Sequence, residues 1–286
     1  MSTDLAASQT LSVQGVTVPA FLYGTAWKEE RTEGLVASAL AAGFRAIDTA
    51  NQRKHYFEAG VGAAVQSWLA AGGQRADLIL QSKFTHQDGQ DHRLPYDPDA
   101  TPADRVAQSF ASSLEHLGTD YLDVLLLHGP EQREGVTAAD AAFFAVASDL
   151  HDAGKIRLLG VSNVTAAQLT EMIAISRVKL AMVQNRCYAR HGWDGDVRAI
   201  CREHGIVYQG FSLLTANRKT WNHRSVAAIA RRLSVTPAQV LFRFALSQGI
   251  LPITGTTDPR HMAADLTARA LVLTGAEVAA IAAIES

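Results

Sequence analysis

Eight short apolar runs, most of them followed by a helical pattern, constrain this chain more than any other feature. They lie at residues 20–25 (AFLYGT), 45–49 (RAIDT), 78–84 (LILQSKF) and 121–128 (YLDVLLLH), then at 158–163 (LLGVSN), 181–185 (AMVQN), 206–212 (IVYQGFS) and 251–254 (LPIT). Most are continuous in apolar character rather than alternating. A strand covered on both faces reads this way, as in a parallel sheet flanked by helices.

The segments between the runs carry helix signals. Thr101-Pro102 sets a capping hydroxyl before a first-turn proline. Val106, Phe110 and Leu114 then share one helix face, and Gly118 ends the pattern. Thr165-x-x-Gln168 and Thr274-x-x-Glu277 read as capping boxes, and Thr236-Pro237-Ala238-Gln239 combines both signals. Asp258-Pro259 opens a further helix. Gly43, Gly154 and Gly205 stand just before strands, as at the end of a βα unit. Eight such units without a linker predict an α/β chain folded as a single (β/α)8 TIM barrel over residues 1–286. The other arrangement is a doubly wound open sheet, but no G-x-G-x-x-G follows the first run. Residues 10–13 and 16–18 flank Gln14-Gly15 and read as an N-terminal β-hairpin that plugs the barrel bottom. Residues 1–8 read as a flexible tail. The long polar loop 85–100 follows the third run and is expected over the barrel top.

Composition removes several classes of function. The chain is 48% hydrophobic and 19% charged with net charge −2, so neither disorder nor a basic nucleic-acid surface is expected. Cys187 and Cys201 make no disulfide framework and match no metal spacing. No apolar run reaches the roughly 18–20 residues that span a bilayer. The opening MSTDLAASQT lacks a basic segment before an apolar stretch. The expectation is a cytoplasmic protein with no membrane, nucleic-acid or metal partner and with its oligomeric state open.

In a barrel of this kind, function gathers at the C-terminal strand ends. Those positions hold Asp48, Lys83, His128, Ser162-Asn163, Gln184-Asn185 and Phe211-Ser212. Each has an ordinary structural reading: a capping Asp, a Lys that snorkels, a hydrogen-bonded His. Their convergence from consecutive strands favours a site, because polar groups at the ends of apolar runs are costly to desolvate.

At these residues the chain resembles the aldo-keto reductase superfamily. The resemblance rests on GFRAIDTA (43–50), HYFEAGVG (55–62), LQSKF (80–84), DYLDVLLLHGP (120–130), GKIRLLGVSN (154–163), VQNRCY (183–188) and LPITGTTDPRHMAADL (251–266). It implies a barrel that uses a nicotinamide cofactor without a Rossmann fold. It also implies a catalytic set of Asp48, Tyr56, Lys83 and His128. Tyr56 is then the general acid, Lys83 lowers its pKa, Asp48 orients Lys83, and His128 donates to the substrate carbonyl. One departure stands out. The family commonly places this tyrosine five residues after the aspartate, where this chain has Arg53. Here the tyrosine comes at eight, and Glu58-x-x-Val61-Gly62 keeps the pattern that follows it. Tyr96, in the long top loop, is the competing tyrosine.

The resemblance further implies that Ser162, Asn163 and Gln184 meet the nicotinamide carboxamide and that Phe211 stacks on the ring, followed by Ser212 and Leu214. Gly255 and Thr256, then Arg260, His261 and Asp265, fall where the adenosine and its 2′-phosphate bind, with Arg218 or Lys219 as helpers. NADPH is the expected cofactor, with NADH open. Trp27, Tyr96, Trp193 and Trp221 are expected to line the substrate pocket. The function implied is NAD(P)H-dependent reduction of aldehyde or ketone carbonyls. The alternatives are an alcohol or sugar dehydrogenase, a barrel with Lys83 as Schiff-base nucleophile, and a non-catalytic nicotinamide-binding regulatory subunit.

Overall fold

The computed structural model describes residues 10–284. Two strands, β1 (Thr10–Val13) and β2 (Val16–Pro19), pair antiparallel. Eight more form a closed barrel: β3 (Leu22–Gly24), β4 (Ala46–Asp48), β5 (Ile79–Phe84), β6 (Leu122–Leu127), β7 (Ile156–Ser162), β8 (Met182–Arg186), β9 (Val207–Phe211) and β10 (Ile250–Thr254). Each pairs parallel with the next, and β10 closes on β3 through Ile253 and Leu22. All eight apolar runs are therefore barrel strands, and the open sheet is excluded. The tail expected over residues 1–8 lies outside the described residues.

The hairpin closes the bottom. Val13, Val16 and Val18 join Leu22, Val124, Leu158 and Met182 in one buried cluster inside the barrel. The Gln14 amide donates to the carbonyls of Lys179 and Leu180, which fixes the hairpin to the entrance of β8. A second, larger core lies between strands and helices, with Phe21 edge-on to both Phe44 and Phe242.

The helix signals hold. Thr101, Thr165, Thr236 and Thr274 cap the helices Pro102–Leu117, Ala166–Ile175, Pro237–Ser247 and Gly275–Ala282, and Asp258 caps Pro259–Thr267. A further capping box, Thr137 with Asp140, starts the helix Ala138–Asp152. Gly118 ends the first of these helices at φ +64°, a conformation that glycine adopts without strain. Towards the barrel bottom, buried Asp123 accepts from Arg75 (2.8 Å), Arg157 (2.9 Å) and the Leu80 backbone N–H (3.0 Å).

Two aromatics expected in the pocket belong to the core instead. Tyr96 is buried, and its hydroxyl donates to the Thr85 carbonyl (2.8 Å) while its ring packs on Phe84. Trp193 is buried against Phe244 at 5.0 Å. Both lie on loops that fold down over the helix layer. An aromatic in a top loop serves either surface, and burial of a large ring favours the core.

Candidate active site

The C-terminal strand ends open into a cleft of about 1040 Å³. Beneath it, polar side chains fill one layer of the barrel interior. Lys83 Nζ donates to Asp48 Oδ1 (2.6 Å) and to the Thr49 carbonyl (2.8 Å). The same Asp48 oxygen accepts from the amides of Gln81 (2.6 Å) and Gln184 (2.9 Å). Gln209 completes the layer by accepting from both amides, and its own amide donates back to Gln81. All five side chains are buried, so the carboxylate is held by three polar side chains in place of water, with Gln209 bracing two of them.

Tyr56 reaches this layer from the lengthened loop. The backbone N–H groups of His55 and Tyr56 both donate to the Gln52 carbonyl, which folds the extra residues into a compact turn. Gln52 then anchors the turn to the 85–100 loop through its amide to Gly89 (2.6 Å), and the Gln90 amide reaches the Asn51 carbonyl (2.8 Å). After the turn, Glu58 opens the helix Glu58–Ala70. Its buried carboxylate accepts from Ser82, next to Lys83 in β5, and from Ser113. An offset of eight therefore returns the tyrosine to the lysine. The Lys83 ammonium lies 5.0 Å from the Tyr56 ring centroid, and the His128 ring lies 5.6 Å away on an edge-to-face contact.

The electrostatics differ from expectation at Tyr56. Burial, and then the Asp48 carboxylate, raise the phenol above its ordinary range. The expected lowering by Lys83 does not prevail because the ammonium is already bound to Asp48. Burial also pushes the Lys83 ammonium down, against the opposing pull of Asp48. His128 is fully neutral in character: burial and the Lys83 charge hold it well below the usual imidazole range. Its Nδ1 is 2.7 Å from the Thr85 hydroxyl. If that hydroxyl donates, the ring proton sits on Nε2.

On the opposite side of the mouth, Ser162 Oγ donates to the Gln184 carbonyl (2.6 Å). Asn163, at φ +54°, turns its amide onto Ser162 Oγ (3.1 Å) and the His128 carbonyl (2.7 Å). Phe211, Ser212 and Leu214 line the cleft beside them, as do Gly255, Thr256, His261 and Asp265. Asp265 accepts from Thr254 Oγ1 (2.8 Å), and burial raises its carboxyl to about 6. Trp27 lines the mouth too, exposed and stacked on His55 at 3.9 Å, and Trp221 lines the wall.

Arg260 is not in the cleft. Its guanidinium is exposed and bound to Asp258 (2.8 Å), the cap of its own helix. The capping carboxylate two residues earlier claims the arginine locally. Arg218 and Lys219 are exposed and also outside the cleft lining. The cation that does meet the Gly255 loop is Lys28, which sequence reasoning missed. It is 3% exposed, and its ammonium donates to the Gly255 carbonyl (2.8 Å). Burial, and then the charge of Arg31, lower it to about 8. Its adjacency to Trp27, itself read as a pocket residue, was the available signal. Gln81 and Gln209 were likewise legible as amides inside apolar runs, and Gln52, His55, His86 and Arg186 line the cleft without having been singled out.

Comparison with known proteins agrees with this architecture. The model of the aldo/keto reductase family matches residues 21–286. An uncharacterized oxidoreductase of Schizosaccharomyces pombe, P32A8.02, is 31% identical, with 93% of this chain and 88% of the relative covered. Methylglyoxal reductase DkgB of Escherichia coli O157:H7 is 29% identical, with 94% of each chain covered. A Bombyx mori aldo-keto reductase solved in complex with NADP superposes with a TM-score of 0.81 at 23% identity, covering 96% of this chain and 91% of that one, which is a likeness of fold. With a family match across nearly its whole length, a closed eight-stranded barrel and an oxidoreductase relative at 31% identity, the chain is a member of the aldo/keto reductase family.

Proposed function

We propose that this protein reduces small aldehydes or ketones with NADPH, using Tyr56 as the general acid, and that it works in the cytoplasm. The observation that carries the reading is the position of the Tyr56 ring, 5.0 Å from the Lys83 ammonium and 5.6 Å from the His128 ring, at the base of a large cleft. The cleft suits a dinucleotide. At one end it offers the flat face of Phe211 beside the Ser162–Asn163 amide and hydroxyl. At the other, Gly255 and Thr256 line the cleft, and the ammonium of Lys28 lies behind them, buried and donating to the Gly255 carbonyl. Its positive charge beneath this loop favours an anionic group bound above it. These features, with the NADP complex of the structural neighbour, support the cofactor assignment.

When bound, the nicotinamide supplies the hydride. The protein supplies the rest. His128 Nε2–H donates to the carbonyl oxygen and orients it, which stabilises the alkoxide as negative charge develops. Tyr56 transfers its proton to that oxygen. Lys83, kept charged by Asp48, stabilises the phenolate that remains. Reduction needs Tyr56 protonated, the form that burial and the Asp48 carboxylate favour. Oxidation of an alcohol requires the phenolate first.

The test is a panel of small aldehydes and ketones assayed with NADPH and NADH, with the matching alcohols and NADP+ in parallel. Aldehyde-dependent consumption of NADPH, faster than with NADH and faster than alcohol oxidation at pH 7, is expected. Cofactor binding without turnover across the panel supports the regulatory-subunit reading instead. Borohydride trapping of substrate on Lys83 supports the Schiff-base reading.

A further inference from the structure

Among the described residues, Arg186 is the one arginine or lysine that lines the cleft. It ends β8 and pairs in register with Phe211 of β9. The two-residue period of a strand puts it on the same side as Gln184, whose amide points inward to Asp48. Arg186 therefore stands one step above Gln184, at the mouth of the barrel. Its guanidinium lies over the Phe211 ring at 5.6 Å. Its hydrogen bond is to the Tyr188 hydroxyl at 3.3 Å, and no carboxylate pairs with it among the described residues. An exposed guanidinium, paired with no carboxylate among the described residues, thus lies over the aromatic ring proposed to stack on nicotinamide.

We propose that Arg186 makes the site discriminate between the two redox forms of its cofactor, holding the reduced form more tightly than the oxidised one. This rests on the cofactor reading above. The reduced nicotinamide ring is neutral and the oxidised ring carries one positive charge. A cation over the Phe211 ring repels only the oxidised form. Screened between protein and water, such a charge changes the relative affinity by about three- to tenfold. The consequence is directional. In carbonyl reduction the oxidised cofactor is the product, and weaker holding eases its release.

The experiment measures dissociation constants of the wild type, Arg186→Gln and Arg186→Lys. The probes are NADPH, NADP+ and 2′-phospho-ADP-ribose, which keeps the phosphates and lacks the ring. In Arg186→Gln the ratio of the NADP+ to the NADPH constant falls about three- to tenfold, while the affinity for the ringless probe stays unchanged. Arg186→Lys keeps a ratio near that of the wild type. An unchanged ratio in Arg186→Gln overturns the inference, as does parallel weakening of all three probes, which assigns Arg186 to a phosphate. Wild-type protein that binds none of the probes overturns the cofactor reading itself and this inference with it.

Discussion

Two buried carboxylates sit at opposite depths of the same barrel, and they differ in what holds them. Asp123 accepts from Arg157, 39% exposed, and from Arg75, 17% exposed and held also by Thr119 and by the carbonyls of Leu78 and Tyr121, so neither cation depends on the carboxylate alone. Asp48 accepts from Lys83, whose side chain is fully buried, and from two glutamines that also have no water. The lower cluster shares its charge between two arginines that have other partners or solvent. In the upper pair, burial works against the ammonium, and Asp48 is what sustains it. An ion pair becomes useful for chemistry when its cation depends on the protein rather than on solvent.

Removing each carboxylate should separate the two roles most strongly. Asp48→Asn leaves a buried ammonium without its counter-charge. The expected results are a loss of turnover of about a hundredfold or more and of about 3–5 kcal/mol of stability. Asp123→Asn is expected to cost about 1–3 kcal/mol in urea unfolding, with turnover per folded molecule unchanged, because Arg157 is partly exposed and Arg75 keeps its bonds to Thr119, Leu78 and Tyr121. A comparable loss of turnover in Asp123→Asn breaks the contrast.

Asp265 extends the comparison to a buried carboxylate that accepts from a hydroxyl and, among the described residues, has no arginine or lysine within salt-bridge distance. Its folded carboxyl titrates at about 6, above the ordinary value of 3.8, so the folded state binds more protons between those values. Stability from this group is full below pH 3.8 and is lost as pH rises through 6. The loss amounts to about 2–3 kcal/mol. Asp265→Asn, which retains an acceptor for Thr254, should abolish that slope and raise stability at pH 7. Unfolding midpoints measured from pH 4 to pH 8 check both points. An identical slope in the variant contradicts the assignment.

The barrel was legible because parallel strands buried on both faces must be continuous in apolar character, and the capping residues marked where helices began. The polar cluster at the proposed catalytic end was legible for a related reason. Asp48, Lys83 and His128 are polar groups at the ends of such runs, where little but a site justifies them. What could not be read depended on choices between neighbours. Arg260 follows Asp258 by two residues, and the local pair wins over the cleft. Tyr96 and Trp193 have the composition of pocket aromatics, but the fold of their loops sends them inward. The raised phenol at Tyr56 depends on burial and on which partner Lys83 has chosen, and residue order carries neither. Lys28 acquires its place only when the barrel closes and brings β3 against β10.

The central claim is that Tyr56, carried to Lys83 by a lengthened loop, is the acid of carbonyl reduction. Its most direct test is Tyr56→Phe, assayed for NADPH-dependent aldehyde reduction alongside NADPH binding. The account predicts a fall in kcat of about 10²–10⁴-fold with the dissociation constant for NADPH unchanged. A variant that retains most of its turnover contradicts it.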